Sequence, residues 1–184
     1  MNRAPLPVTP TLHVSRWYNT PKPIALDALR GRVVAIHAFQ MLCPGCVTHG
    51  LPQAVRLREA FPEDQLTVIG LHTVFEHHAV MGPEALEAFI HEYRLAFPIG
   101  VDEADSHSPV PKTMAAWGLR GTPSLVLLDQ EGHVQLNHFG RIDDMALGAI
   151  VGALVERPFK ALAAEPHALE ERDEVGCGGD ACAV

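Results

Sequence analysis

The chain contains no run of eighteen apolar residues, so no segment has the length and character of a membrane-spanning helix. It also lacks a basic excess: 14 Lys and Arg stand against 22 Asp and Glu, a formal net charge of −8. Nucleic-acid binding needs a basic surface to neutralise phosphates, so that class is not expected. Cysteine is scarce, and four in 184 residues are too few for the disulfide framework of a small secreted scaffold. The opening stretch MNRAPLPVTP holds Pro5, Pro7 and Pro10 and no apolar signal-like core, from which a cytoplasmic location is expected. No internal repeat is visible. The length suits one domain with its own core.

What is present is an alternation of strand and helix patterns. Residues 1–23 read as an N-terminal arm, because the early prolines deny the backbone regular pairing. IALDALRG, residues 24–31, reads as a short strand and turn. RVVAIHAF (32–39) and QLTVIGLH (65–72) are nearly continuous apolar runs, the pattern of strands buried on both faces. Between them, Val47, Leu51, Val55 and Leu57 fit a helix from 44 to 61 that Pro52 should kink. Residues 82–93 form a second helix opened by Pro83, FPIG a short strand and PKTMAAWGL a short helix. SLVLLDQEGHVQLNHFG (124–140) reads as an antiparallel hairpin, and 143–156 as a last helix whose Gly148 and Gly152 allow close packing on the sheet. The charged, then glycine-rich stretch 158–184 is an extension, read as a short helix and a mobile tail.

The candidate chemistry lies in Cys43-Pro44-Gly45-Cys46, directly after the first buried strand. In a reducing compartment such a pair is redox-active, metal-binding or merely two inert thiols. A helix beginning here would offer Cys43 free N–H groups and partial positive charge, which stabilise a thiolate, with Cys46 one turn behind. HTVFEHH (72–78) adds histidines. Zinc, however, needs three or four ligands in fixed geometry, and His77-His78 lacks helical ligand spacing, so no metal is expected.

LRGRVVAIHAF running into CPGC, the additional strand and helix that follow, and GLRGTPSLVLLDQEG resemble, in this order, the thioredoxin superfamily. Within it they are similar to thiol–disulfide oxidoreductases of the TlpA/ResA (redoxin) kind. The resemblance covers residues 24–157. It implies an α/β thioredoxin-like fold, a central mixed sheet flanked by helices, with a strand–helix insertion between the CxxC motif and the cis-proline. Thr122-Pro123 matches that cis-proline. Cys43 would attack a substrate disulfide and Cys46 would resolve the mixed disulfide. The implied partners are a protein or small-molecule disulfide and a thioredoxin-reductase-type electron donor, and no cofactor is implied.

The departures from the family pattern name further candidates. Leu42 replaces the aromatic residue usual before the first cysteine, and His37 takes the place of a buried acid, which makes it a proton-transfer candidate. His49 stands where Glu is frequent and is a second candidate for that task. His72 ends its strand at the same sheet end as Cys43. Pro52 follows Cys46 by six residues where five is usual, so the helix holds an extra residue. Peroxidases of the same fold carry Pro and Thr seven and three residues before their reactive cysteine, where this chain has Ile36 and Gln40. Peroxide reduction through a Cys43 sulfenate is the runner-up, ahead of a redox-sensing or metal-binding module. Cys177 and Cys182, among glycines, are spaced so that a local disulfide can form; the readings left open are an inert tail, a second dithiol that exchanges electrons with the first pair, and a zinc site made from both pairs.

Overall fold

The structure, a computed structural model, describes residues 10–159. Six strands form one mixed sheet: β1 Val14–Tyr18, β2 Val33–Phe39, β3 Leu66–His72, β4 Ile99–Asp102, β5 Ser124–Leu128 and β6 Val134–Phe139. Their spatial order is β1-β4-β3-β2-β5-β6. β2 is parallel to β3 and antiparallel to β5, so that His37 lies between Gly70 and Leu125. Every residue of these three strands is buried, as their continuous apolar character requires. β5 and β6 are antiparallel, as the hairpin pattern predicts. β1 falls within the stretch read as an arm and pairs antiparallel with β4 at the sheet edge.

The period of two along β2 divides the core. Val33, Ala35 and Phe39 face one layer, with residues of α1 (Leu51–Ala60), α2 (Pro83–Glu92) and α4 (Asp144–Val155). Val34, Ile36 and Ala38 face the other, with Leu26 and with Met114 of α3 (Lys112–Ala116). His37 therefore points to the α1 and α4 side. Among the described residues, no helix is long and apolar enough to cross a membrane.

Three local expectations are corrected. IALDALRG contains a 3₁₀ turn at Leu26–Leu29 that buries Leu26, not a strand. The chain must reverse before β2, and Gly31, at φ 92°, makes that reversal and donates its N–H to the Gln130 carbonyl. In the helix after the cysteines, the departure from α geometry lies ahead of Pro52 and not at it. Cys46–Gly50 forms a π-helical turn, closed by the Leu51 N–H on the Cys46 carbonyl, and α1 begins behind it. The wider turn accommodates the extra residue, and Pro52, which has no N–H to donate, directly follows it as the second residue of α1. Gly148 and Gly152 do not serve close packing on the sheet, because a β-carbon at either would meet nothing within 4 Å among the described residues.

Candidate active site

β2 delivers the chain through Gln40, Met41 and Leu42 to Cys43, whose N–H bonds the Gln40 carbonyl at 3.3 Å. The N–H groups of Cys46 and Val47 both turn back to the Cys43 carbonyl, at 3.0 and 3.1 Å, and start the helix there. Cys43 is half-buried and Cys46 fully buried, both as free thiols. The Cys46 N–H also lies 3.2 Å from Cys43 Sγ, and the Cys43 thiol donates to the Thr122 carbonyl at 3.4 Å. Burial, with the contact to Cys43, pushes the Cys46 thiol up to about 12. The two sulfurs are thus chemically unequal: one reachable, the other sheltered and held protonated.

The Thr122-Pro123 peptide is cis, as the resemblance implies. Its ring lies on two bare α-carbons. A β-carbon at Gly45 would stand 3.2 Å from Pro123 Cδ, and one at Gly50 would stand 3.1 Å from Pro123 Cβ. A side chain at Gly45 of the motif or Gly50 of the π-turn would therefore press on Pro123, which would have to give by a few tenths of an ångström. Ser124 Oγ donates to the Gly121 carbonyl and Gly140 N–H to the Pro123 carbonyl, pinning this loop on both sides. Farther back, buried Asp102 accepts from the N–H groups of Thr113 and Met114 and from Thr73 Oγ1, which fixes α3 ahead of the loop.

His37 is buried, its Nε2 has no hydrogen-bond partner among the described residues, and burial lowers its pKa to about 4. It borders a cavity of about 40 Å³ together with His49, Gln53, Arg56, Pro123 and Arg141. The structure thus brings His37 and His49 to one space. It does not bring His72 there: that ring is buried 5.3 Å from Phe39 and is absent from the cavity wall. Leu42 is 56% exposed beside Cys43, an apolar surface where the family usually carries an aromatic one. His77 and His78 are solvent-exposed, and among the described residues no three His, Cys, Asp or Glu side chains gather as a metal site. Cys177 and Cys182 lie outside the described residues.

Sequence reading missed Gln53, which is buried and bonds Ile142 O at 3.0 Å and Asp144 Oδ1 at 2.6 Å, joining α1 to the start of α4. A polar residue four positions before Leu57, next to Ala54 on the buried side of α1, was the available signal.

These features define a thioredoxin-like α/β protein with a two-thiol centre opposite a cis-proline. A crystal structure of a thioredoxin-like superfamily protein is 49% identical, covering 83% of this chain and 98% of that one at a TM-score of 0.81. A thiol-disulfide isomerase from Corynebacterium glutamicum is 45% identical, covering 82% and 98% at 0.78. A thioredoxin-like protein solved in its oxidised form is 21% identical at 0.65 and shares the fold. Scans against family models and curated proteins returned no match. The chain belongs to the thioredoxin superfamily, among its redoxin-type thiol–disulfide proteins.

Proposed function

We propose that the chain is a thiol–disulfide oxidoreductase acting on protein disulfides, with Cys43 as nucleophile and Cys46 as resolver. The observation that carries this reading is the inequality of the two sulfurs. Cys43 is reachable and receives the Cys46 N–H at 3.2 Å, a contact that strengthens when the sulfur is anionic. Cys46 is buried and pushed up to about 12, so it stays a thiol until an adjacent disulfide forms. In the cycle, the Cys43 thiolate attacks a substrate disulfide and one substrate sulfur leaves as a thiolate. Cys46 then loses its proton and attacks Cys43 Sγ; the Cys43–Cys46 bond forms and the second substrate sulfur departs. The substrate gains two electrons and the dithiol loses two. A thioredoxin-reductase-type donor would restore the dithiol.

Turnover of an insulin-type disulfide, with and without such a donor, tests the reading; no turnover by the intact dithiol would sink it. The reduction potential then sets the direction. A value near about −270 mV fits a reductase, and one near about −120 mV an oxidant.

A further inference from the structure

The chain carries a formal net charge of −8, yet one corner beside the reactive turn is cationic. The cavity next to Pro123 has Arg56, Arg141 and His49 on its wall against one carboxylate, Asp144. That carboxylate is already engaged: it accepts from Gln53 Nε2 at 2.6 Å and pairs with Arg56 at 2.8 Å. The neighbouring acid, Asp143, caps α4 by accepting from the N–H groups of Met145 and Ala146. Arg141 is exposed and pairs with no carboxylate among the described residues. Its charge is felt in the cavity all the same. The bond from Gln53, then the charges of Arg56 and Arg141, hold the Asp144 carboxyl below its ordinary range.

The inner end of the cavity gives a second, independent sign of a ligand. His37 is 3% exposed and borders the cavity, and its Nε2 has no hydrogen-bond partner among the described residues. Buried polar nitrogens are generally satisfied, and a neutral imidazole can present an N–H at this atom. The space in front of it is about 40 Å³. A water needs about 10–15 Å³ of such space, so about three small groups fit, as many as the heavy atoms of a carboxylate.

The cavity also lies beside the path of a substrate. Pro123 is part of its wall, and the carbonyl of Thr122 lies 3.4 Å from Cys43 Sγ. The contact with the reacting sulfur and the cavity wall thus belong to consecutive residues of one loop. An extended substrate chain advances about 3.3 Å per residue, so a long side chain one or two residues from its bonded cysteine reaches the cavity mouth.

We propose that this corner is a carboxylate subsite, in which Arg141 and His37 receive an Asp or Glu side chain standing one or two residues from the reacting cysteine of the substrate. The inference rests on the dithiol reading above and names the substrate class of the same site: protein disulfides flanked by acid. Arg141 supplies the charge at the mouth, and His37 Nε2–H the inner hydrogen bond. Asp144 opposes the incoming acid, and its pairing with Arg56 limits that repulsion. No bond is made or broken in the cavity, so the subsite acts on binding.

The test is kcat/KM for disulfide-bonded peptides in which one of the two residues on either side of the reacting cysteine is Glu or Gln. Each value is divided by the rate of dithiothreitol with the same peptide. In the parent, Glu should exceed Gln by about threefold or more at one of these positions at least, mainly through KM. Arg141→Gln should bring that ratio close to one, and Arg141→Lys should restore part of it. His37→Leu should lower it. Asp144→Asn, which keeps an oxygen for Gln53 but loses the charge, should raise it. Salt at about 0.5 M should shrink it. Arg141 and Asp144 are both exposed, so their variants are read on folded protein. A ratio near one at every position in the parent overturns the proposal, as does a ratio that Arg141→Gln leaves unchanged or Asp144→Asn lowers. Acetate inhibition equal for Glu and Gln peptides, with no preference between them, would make the corner a site for free anions and overturns it too. If the parent turns over none of the peptides, the dithiol reading itself fails and the subsite falls with it, a failure read without any variant.

Discussion

The backbone N–H of Cys46 lies 3.2 Å from Cys43 Sγ, so the residue proposed as resolver also contacts the sulfur proposed as nucleophile. The first prediction follows. Iodoacetamide at pH 7 should label Cys43 well before Cys46, because Cys46 is buried and held up near 12. Cys46→Ser should accumulate a stable mixed disulfide through Cys43, visible by mass spectrometry. Preferential labelling of Cys46 would reverse the assignment.

The order of elements was legible because the central strands are buried on both faces and read as unbroken apolar runs. The cysteine pair and Thr122-Pro123 were legible as motifs. The π-turn was not, although the six-residue spacing to Pro52 marked an extra residue. An added residue can be taken up by a kink, a bulge or a longer loop. The bare α-carbons of Gly45 and Gly50, which flank the turn, lie against a proline more than seventy residues away, a contact no local pattern displays. Gln53 was missed for a similar reason, since its partners belong to the start of α4. IALDALRG failed differently: eight residues with one deeply buried position do not distinguish strand from turn by periodicity.

The unpacked glycines of α4 lead to a second prediction. A β-carbon at Gly148 or Gly152 meets nothing within 4 Å among the described residues, so alanine adds helix propensity without a clash there. Each Gly→Ala change should stabilise the protein by about 1 kcal/mol, or raise Tm by roughly 2–4 °C. Calorimetry of the single and double variants checks this. Destabilisation by Gly152→Ala would mean that this face packs more closely than the structure indicates.

Asp102 carries the third. Its carboxylate accepts from Thr73 Oγ1 at 2.9 Å and from the N–H groups of Thr113 and Met114 at 2.8 and 3.0 Å, all in a buried setting. Asp102→Ala leaves three donors unmet, and a loss of roughly 2–4 kcal/mol is expected. Because α3 precedes the loop carrying Thr122-Pro123, disulfide turnover at a temperature where the variant is folded should fall as well. Asp102→Asn, which keeps one acceptor oxygen, should fall between. Urea titration with parallel turnover measurement separates the two effects, and parental stability in Asp102→Ala would refute the anchoring role.

The last prediction concerns acid. His37 and His72 are both buried with no partner for Nε2 among the described residues, and burial lowers each pKa from 6.5 to about 4. In the unfolded chain both protonate near 6.5, whereas in the folded protein both remain neutral until about 4. Between these values the unfolded state binds more protons, so lowering the pH favours unfolding. The stability is fully present above about pH 6.5, is lost progressively as pH falls towards 4, and stops falling from this cause below that. Each shift corresponds to roughly 3 kcal/mol across the window. Asp102, whose carboxyl burial raises above its ordinary value, opposes this trend only at the acid end. Urea unfolding at pH 7.5, 6.5, 5.5 and 4.5 should show a falling midpoint through that range. His72→Leu, which removes one of the two titrating rings, should flatten the dependence by about half. A slope unchanged in His72→Leu, or a midpoint level between pH 6.5 and 4.5 in the parent, would mean that at least one of these rings finds a proton or a partner in the folded state.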